Sequence, residues 1–382
     1  MLNENYEKNL ELLINKVDGV ADIDWEEARD IIGADIHPDS LRKAFATTEY
    51  GGYHVAKYLL DKKASELADE TINKLQQKKD EEYKERVRLQ DARREYNKGL
   101  REEARFENLV EVMRNSIDCM PVLDFKSKNT NSNGAKASLL ISDLHYGALV
   151  DNPINYYDTD VCRERMNTLL NKTIKYCGIH NVKELYVNLA GDLVCGNIHL
   201  NSRVEQEEDI ISQTMQVAEL LANFLSELSK HIDNITVVCV QGNHSRVNPN
   251  IKDNLNQENF ERIIFEYVKM RLPDIRMLRN GNEDWIAYNI GDKKVFLEHG
   301  DKSSVSSAKE KAVNMVGYAP DVILFGHFHH MELNDKNGTD VVVNGSVVGV
   351  DSYAIRRRFN TNPYQVMQVY DGDDTCTYKL VL

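Results

Sequence analysis

The chain has no apolar run approaching the roughly 20 residues that a bilayer-spanning helix requires, so no transmembrane helix is expected. Its first residues, MLNENYEKNLELL, are polar and acidic, unlike a secretory leader. Surplus positive charge is missing too: 47 Lys and Arg face 61 Asp and Glu, a net charge of −14. That balance argues against a protein that coats nucleic acid through bulk charge. It leaves room for a local positive site, above all one made by bound metal ions. The six cysteines, at 119, 162, 177, 195, 239 and 376, include no CxxC pair. Such scatter reads as reduced thiols and a cytoplasmic location. No internal repeat is found.

What is present is enough for a large core. The 382 residues are 42% hydrophobic, which suits two domains, or one large domain with an appendage. Three textures follow one another. Residues 1–60 alternate helical patterns with turns, and DIDWEEARDIIG opens with Asp24 and Glu27 at capping-box spacing and closes on Gly33. HPDSLRKAF then starts a further helix near Pro38. Helix, short turn and helix give a helix-turn-helix outline, in which Ser40, Arg42 and Lys43 would face nucleic acid. Twelve acids against six bases in this segment speak for a bland helical unit instead.

Residues 61–123 carry dense charge of both signs, with acids and bases at i, i+4. This predicts a long exposed helix or a helical hairpin. Its apolar seam (Leu67, Ile72, Leu75, Val87, Leu89, Leu100) is thin and breaks register. A spacer arm is therefore expected, with pairing in a homodimer, through the arm or the following domain, as the alternative. Residues 124–136, DFKSKNTNSNGAK, form a polar linker. From 137 to 382 short apolar strands (SLLIS, ELYVNLA, ITVVCVQ, KVFLE, VILFG) alternate with helical patterns at 160–177, 205–231, 257–272 and 304–316. This is an α/β layered domain. DVVVNGSVVGV and CTYKLVL are expected to finish a second sheet.

The chemistry gathers where those strands end. ISDLHYG offers Asp143 and His145, LAGDLVCG offers Asp192, and VQGNHSR offers Asn243 and His244. FLEHGD offers His299, and LFGHFHH offers His327 and His329. The carboxyl ends of strands are where α/β sheets build sites. Aspartate, asparagine and histidine together suit a borderline divalent cation such as Mn, Fe, Zn, Co or Ni. The set exceeds the needs of one ion and fits two ions sharing a carboxylate.

In that order, D-x-H, G-D, G-N-H, H-G and G-H-x-H resemble the calcineurin-like metallophosphoesterase family over about residues 140–350. The resemblance implies a two-sheet α/β/β/α sandwich and two divalent metal ions, Mn2+ first among them. It implies that Asp143, His145 and His329 hold one ion and Asn243, His299 and His327 the other. Asp192 would bridge, and His244 would be the catalytic residue facing the scissile phosphate, there to stabilise charge or protonate the leaving oxygen. Two departures matter. Cys195 stands where the protein phosphatases of the family carry an acid, and GNHSR lacks the acid of GNHE, so the partner that orients His244 is open. Asn197 and His199 are its candidates, and a protein phosphatase is not expected. The order of head, arm and phosphoesterase resembles DNA-repair-exonuclease-like phosphoesterases of bacteriophages and prophages.

Arg203 and Arg246 are placed to clamp a phosphate, and Tyr353 or Tyr146 to stack a base. Arg356, Arg357 and Arg358 form the densest basic cluster of the domain. Ordinary rim and core roles explain these residues as well. The leading expectation is a phosphodiesterase acting on nucleic acid. Its rivals are a phosphodiesterase or phosphatase for small or cyclic nucleotides and a DNA-binding regulatory protein with an inactive enzyme fold.

Overall fold

The computed structural model describes residues 4–46, 49–125, 134–198, 204–252, 254–255, 257–281, 283–358 and 360–382. They form two compact units, 1–103 and 104–382. The first begins with helices α1 (Glu4–Val17), α2 (Trp25–Ile32) and α3 (Pro38–Ala46). Asp24 caps α2 by accepting from the backbone N–H groups of Glu26 and Glu27, while Glu27 accepts in return from the Asp24 N–H. Gly33 ends that helix in the left-handed region, at φ 68°. Leu13, Ala28 and Leu41 make the small core, with Trp25 and Phe45 against it. Ser40, Arg42 and Lys43 are exposed on α3, and Arg42 pairs with Asp39 at 3.3 Å.

Helix α4 runs from Glu49 to Ile117, 69 residues without interruption, so a hairpin is not formed. Its i, i+4 pattern yields exposed pairs such as Glu70–Lys74 at 2.9 Å, each worth only a few tenths of a kcal/mol. From Ala104 onward the helix belongs to the second unit. There Met113 and Ile117 join the main core, and the Arg262 guanidinium lies 4.1 Å over the Phe106 ring. Linker residues 126–133 lie outside the described residues.

The second unit holds two sheets. The first has the order β13-β12-β1-β4-β5-β6 and the second β10-β11-β9-β8-β7. Here β1 is Lys136–Ile141, β4 Glu184–Leu189, β5 Asn234–Cys239 and β6 Arg276–Arg279, all parallel. The second sheet is built on β7 (Trp285–Ile290), β8 (Lys293–Glu298), β9 (Val322–Phe325), β10 (Glu332–Asp335) and β11 (Asp340–Val343). A short ribbon, β2 (Val150–Asp151) with β3 (Tyr156–Tyr157), lies apart. Helices α5 (Thr159–Ile179), α6 (Ile210–Ser229) and α7 (Phe260–Arg271) join the parallel strands of the first sheet. Helix α8 (Ala308–Val316) precedes β9, and α9 (Ser352–Arg357) precedes β12 (Tyr364–Asp371) and β13 (Asp374–Val381).

Strand periodicity of two explains the layering. Leu139 and Ile141 of β1, with Val187 of β4 and Val237 of β5, join the core under α5, α6 and α7. Their neighbours Leu140, Tyr186 and Val238 face the other way and meet Val295, Leu297, Val322 and Leu324 of the second sheet. Phe296, Ile323 and Phe325 then pack outward on Ala308 and Ala312 of α8. The result is the α/β/β/α order.

One expectation needs correction. CTYKLVL does not finish the second sheet: β13 pairs antiparallel with β12, which pairs with β1 in the first sheet. Asp371 opposes Asp374 across a two-residue turn containing Gly372 at φ 60°. A hairpin that tight holds both strands in one sheet. The first part of DVVVNGSVVGV does enter the second sheet, as β11. No helix among the described residues is long and apolar enough to cross a membrane.

Candidate metal centre

Each motif leaves the carboxyl end of a strand: Asp143 after β1, Asp192 after β4, Asn243 after β5, His299 after β8 and His327 after β9. The loops are stitched together by their backbones. Asp143 N–H donates to Gly191 O at 3.1 Å, His145 N–H to Asp192 O at 3.0 Å, and Gly326 N–H to His299 O at 3.0 Å. A Cβ at Gly242 would lie 2.2 Å from the Asp192 amide nitrogen, so only glycine lets these two loops meet.

Three overlapping groups of ligand atoms converge within 4.8 Å: Asp143, His145 and His329; His145, Asp192 and His244; Asp192, His299 and His327. His145 Nε2 and His329 Nε2 face each other at 3.2 Å, and His329 Nε2 is 3.3 Å from Asp143 Oδ1. On the other side His299 Nε2 lies 3.0 Å from Asn243 Oδ1 and 3.2 Å from Asp192 Oδ2. Asp192 therefore stands between two nests of donors. Asp143, Asp192 and His299 are fully buried or nearly so. Five of the eight non-glycine residues with positive φ among the described residues are Asp143, His145, Asp192, His327 and His329, at 47–65°. Left-handed backbone of this kind costs on the order of 1 kcal/mol or more per residue and concentrates where a site demands it.

The electrostatics agree with cation binding. Burial pushes the Asp192 carboxyl up, but the charge of His299 and His244 and the hydrogen bond from His299 hold it well below its ordinary value. Asp143 is likewise raised by burial, and His329 together with the charge of His299 outweighs this and lowers it. Burial, with the charge of His244, pushes His145 well down, and burial with His299 pushes His327 down. His299 and His329 go the other way: despite burial, Asp192 raises His299 well above its ordinary value and Asp143 raises His329. Ligating imidazoles are neutral, so a cation would take the place of the protons that these two carboxylates attract. The donor set thus fits two divalent cations. Asp143, His145 and His329 would hold one, Asn243, His299 and His327 the other, and Asp192 both.

Groups outside the motifs hold these ligands. His299 Nδ1–H donates to Ala190 O at 2.8 Å, fixing Nε2 as the inward nitrogen. Ser142 Oγ donates to Asp143 Oδ2 at 2.5 Å and accepts from Asn344 Nδ2 at 2.9 Å, and Gln365 Oε1 accepts from Asn344 and from the Ser142 N–H. Glu261, fully buried at the start of α7, accepts from Leu193 N–H through Oε1 and from Gly242 N–H through Oε2, both at 2.7 Å. It ties the Asp192 loop to the Asn243 loop. Burial and the charge of Asp192 push Glu261 up to about 7, against the pull of those two N–H groups.

His244 finds an orienting partner that is not a side chain. Its Nδ1–H donates to the Cys195 carbonyl at 2.8 Å, its backbone N–H donates to Asp192 Oδ1 at 2.8 Å, and its ring meets that of His145 at 4.5 Å between centroids. Asn197 Oδ1 is buried with no hydrogen-bond partner, so the expectation that Asn197 orients His244 is corrected. A backbone acceptor has no residue signature, which is why the sequence could not show it. His199 and Arg203 lie outside the described residues. Arg246 is half-buried with Nε unpartnered. It lines a cavity of about 60 Å3 with Gln241, Asn243, Asn254 and Lys302. Tyr353 sits on α9 with its side chain outside the described part, and Tyr146 is buried, its hydroxyl donating to Gln216 at 2.8 Å.

Comparison with known proteins agrees with this geometry. A model of the calcineurin-like phosphoesterase family matches residues 138–331, and the YonJ coiled-coil domain matches residues 72–119. The SPbeta prophage-derived protein YonJ of Bacillus subtilis (strain 168) is 24% identical over 349 residues, 88% of this chain and 86% of that protein. Solved structures similar to the chain include an archaeal phosphodiesterase, 15% identical over 64% of this chain and 99% of that one, with a TM-score of 0.35. Vps29 of Cryptosporidium parvum is 16% identical over 65% of this chain and 100% of that one, with a TM-score of 0.34. With five motifs on strand ends and a family match over half its length, the chain belongs to the calcineurin-like phosphoesterases, which hydrolyse phosphoesters with divalent metal ions.

Proposed function

We propose that this chain is a phosphodiesterase acting on nucleic acid, with Mn2+ as its preferred cation pair. The observation that carries the reading is the pose of His244. With Nδ1–H committed to the Cys195 carbonyl, Nε2 is the nitrogen that exchanges a proton, and His244 shares one cluster of ligand atoms with His145 and Asp192. A diester leaves as an alkoxide and needs that proton, a step worth about 10²–10⁴-fold when a side chain supplies it. Bound cations would supply charge for the phosphate oxygens and acidify water. The chain itself positions the diester. Arg246, with Nε unpartnered at the edge of the Asn243 loop, is suited to a phosphate oxygen, and Asn197 is assigned to substrate contact through its amide N–H2 group, the donor half of that side chain.

We assign His199, Arg203 and Tyr353 to substrate contact as well, and Ser40, Arg42 and Lys43 of α3 to nucleic-acid contact by the head. The likeness to a prophage protein supports a setting in which DNA is the polymer at hand. Six free thiols support a cytoplasmic one. The net charge of −14 favours the rival substrate, a small or cyclic nucleotide.

Metal-supplemented protein is to be assayed on bis-p-nitrophenyl phosphate, labelled single- and double-stranded DNA, RNA, and linear and cyclic nucleotides. Cleavage of the polymers with Mn2+, lost on chelation, is expected. Turnover of nucleotides alone would replace this reading with its rival. Binding of DNA that weakens steeply with salt and disappears without residues 1–60 is expected if the head takes part; salt-independent binding refutes that role.

A further inference from the structure

We propose that two copies of this chain pair through α4 as an antiparallel coiled coil centred near Lys84. The observation is the surface of the helix itself. Ile72, Leu75, Leu89, Tyr96 and Leu100 are 48–68% exposed. Numbered in heptads, they lie on one seam. Ile72 and Leu100 take a positions, and Leu75, Leu89 and Tyr96 take d positions. The remaining a positions between them are Lys79, Arg86 and Arg93, and the remaining d position is Glu82. A seam of this kind is soluble alone, because its charges interrupt the apolar residues, and it leaves a face for a complementary helix.

The charges decide which helix that is. In a parallel pair each a residue meets its own copy. Lys79, Arg86 and Arg93 would each face a like charge, and Glu82 would face Glu82. Such layers are destabilising and select against that geometry. An antiparallel pair sets a against d. Centred near Lys84, it brings Glu82 of one copy against Arg86 of the other, twice by symmetry. Going outward, the aliphatic stem of Lys79 lies on Leu89, that of Arg93 on Leu75, and Ile72 meets Tyr96. The outermost layer sets Leu100 against Ala68. Every like-charge layer of the parallel form is thereby removed. A slip of one heptad either way keeps Glu82 against a base, Lys79 or Arg93, and sets Ile72 on Leu89 or Leu75 on Leu100, but it places an apolar residue against an acid, Leu100 on Asp61 or Ile72 on Glu103; crosslinking tests the register. A second copy of the chain is the occupant because the seam complements itself when reversed, which makes a two-fold pair with its axis across the helices.

The test uses the full chain with the exposed Cys119 and Cys376 replaced by serine. Sedimentation equilibrium should give a dimer, and a monomer across the measurable concentration range overturns the proposal. Under mild oxidation, Glu82→Cys should not crosslink to itself but should crosslink to Arg86→Cys when the two proteins are mixed. Self-crosslinking of Glu82→Cys means a parallel pair and overturns it. Glu82→Lys should weaken the dimer by about tenfold or more, and Glu82→Lys with Arg86→Glu should restore it. All these positions are exposed on the helix, so helicity is expected to be unchanged. Failure of the double exchange to restore pairing refutes the register.

Discussion

Replacing Gly196 by alanine should show how much of the activity depends on the seat of His244. Gly196 follows Cys195, whose carbonyl accepts from His244 Nδ1–H. Its φ is +73°, and a Cβ there would lie 1.9 Å from the His244 carbonyl oxygen and 2.8 Å from the His244 carbonyl carbon. Both are backbone atoms, so no side chain can swing aside. Restoring a separation of at least 3.0 Å moves one strand-end loop against the other by about 1.1 Å. The left-handed conformation adds about 1–2 kcal/mol of strain for alanine. A misplacement of about 1 Å at a reacting group costs up to about 10²-fold, equivalent to about 2.7 kcal/mol in the barrier.

The variant should therefore lose about two orders of magnitude in kcat on labelled DNA with Mn2+ present, because an alkoxide needs the proton of His244 to leave; bis-p-nitrophenyl phosphate, whose p-nitrophenolate leaves unprotonated, should be affected less. The control is Gly317→Ala. Gly317 has nearly the same φ, +77°, and nothing within 4 Å of its Cβ position. It should lose about the same 1–2 kcal/mol of stability by denaturant titration and keep its kcat. Gly196→Ala with kcat within about threefold of the parent would refute the claim that this contact seats the histidine. Equal losses of kcat in both variants would refute the separation of strain from position.

Other outcomes follow from the same geometry. His244→Ala should retain metal by elemental analysis and lose turnover, whereas Asp192→Ala should lose metal; equal metal loss in both would show that His244 is a ligand instead. Glu261→Gln offers one acceptor oxygen where the carboxylate offers two, leaving a buried N–H unsatisfied at about 1–3 kcal/mol. Mn2+ affinity should fall about 10–100-fold, and an unchanged titration curve would remove Glu261 from the site's support. Glu219 accepts from Arg271 Nε at 2.9 Å, from Arg271 NH2 at 2.8 Å and from the Tyr267 hydroxyl at 2.9 Å. Burial pushes its pKa up, but these partners outweigh it and hold it below the ordinary 4.5. A depressed carboxyl contributes stability that is present above about pH 4.5 and lost as the pH falls through the lower folded value. Glu219→Gln should thus show a shallower loss of stability on acidification, read from denaturant midpoints, and an identical slope would deny the pair its role.

Much of this protein is written locally. Strands of consecutive apolar residues such as Leu139, Leu140 and Ile141 dictate two buried faces, because successive side chains point to opposite sides. Asp24, Glu27 and Gly33 bound α2 through contacts spanning only a few residues. The motif residues are legible for a related reason. Each is a metal-binding or acid–base residue type standing directly after a strand, beside glycines that let the backbone turn.

Other features were beyond the sequence because they depend on distant segments meeting. No spacing shows that His145 and His329 come within 3.2 Å across the two sheets. The Cys195 carbonyl is invisible as an orienting group, since every residue has one. Glu261, Gln365 and Asn344 read as ordinary helix and strand residues until the fold buries them against the loops they hold. The place of β13 was set by a hairpin turn and by the free edge of β12, not by its apolar composition. Residue types and their order determine which chemistry is available. Packing determines which groups share a cation, because distance and burial arise only when strands far apart in the chain are brought side by side.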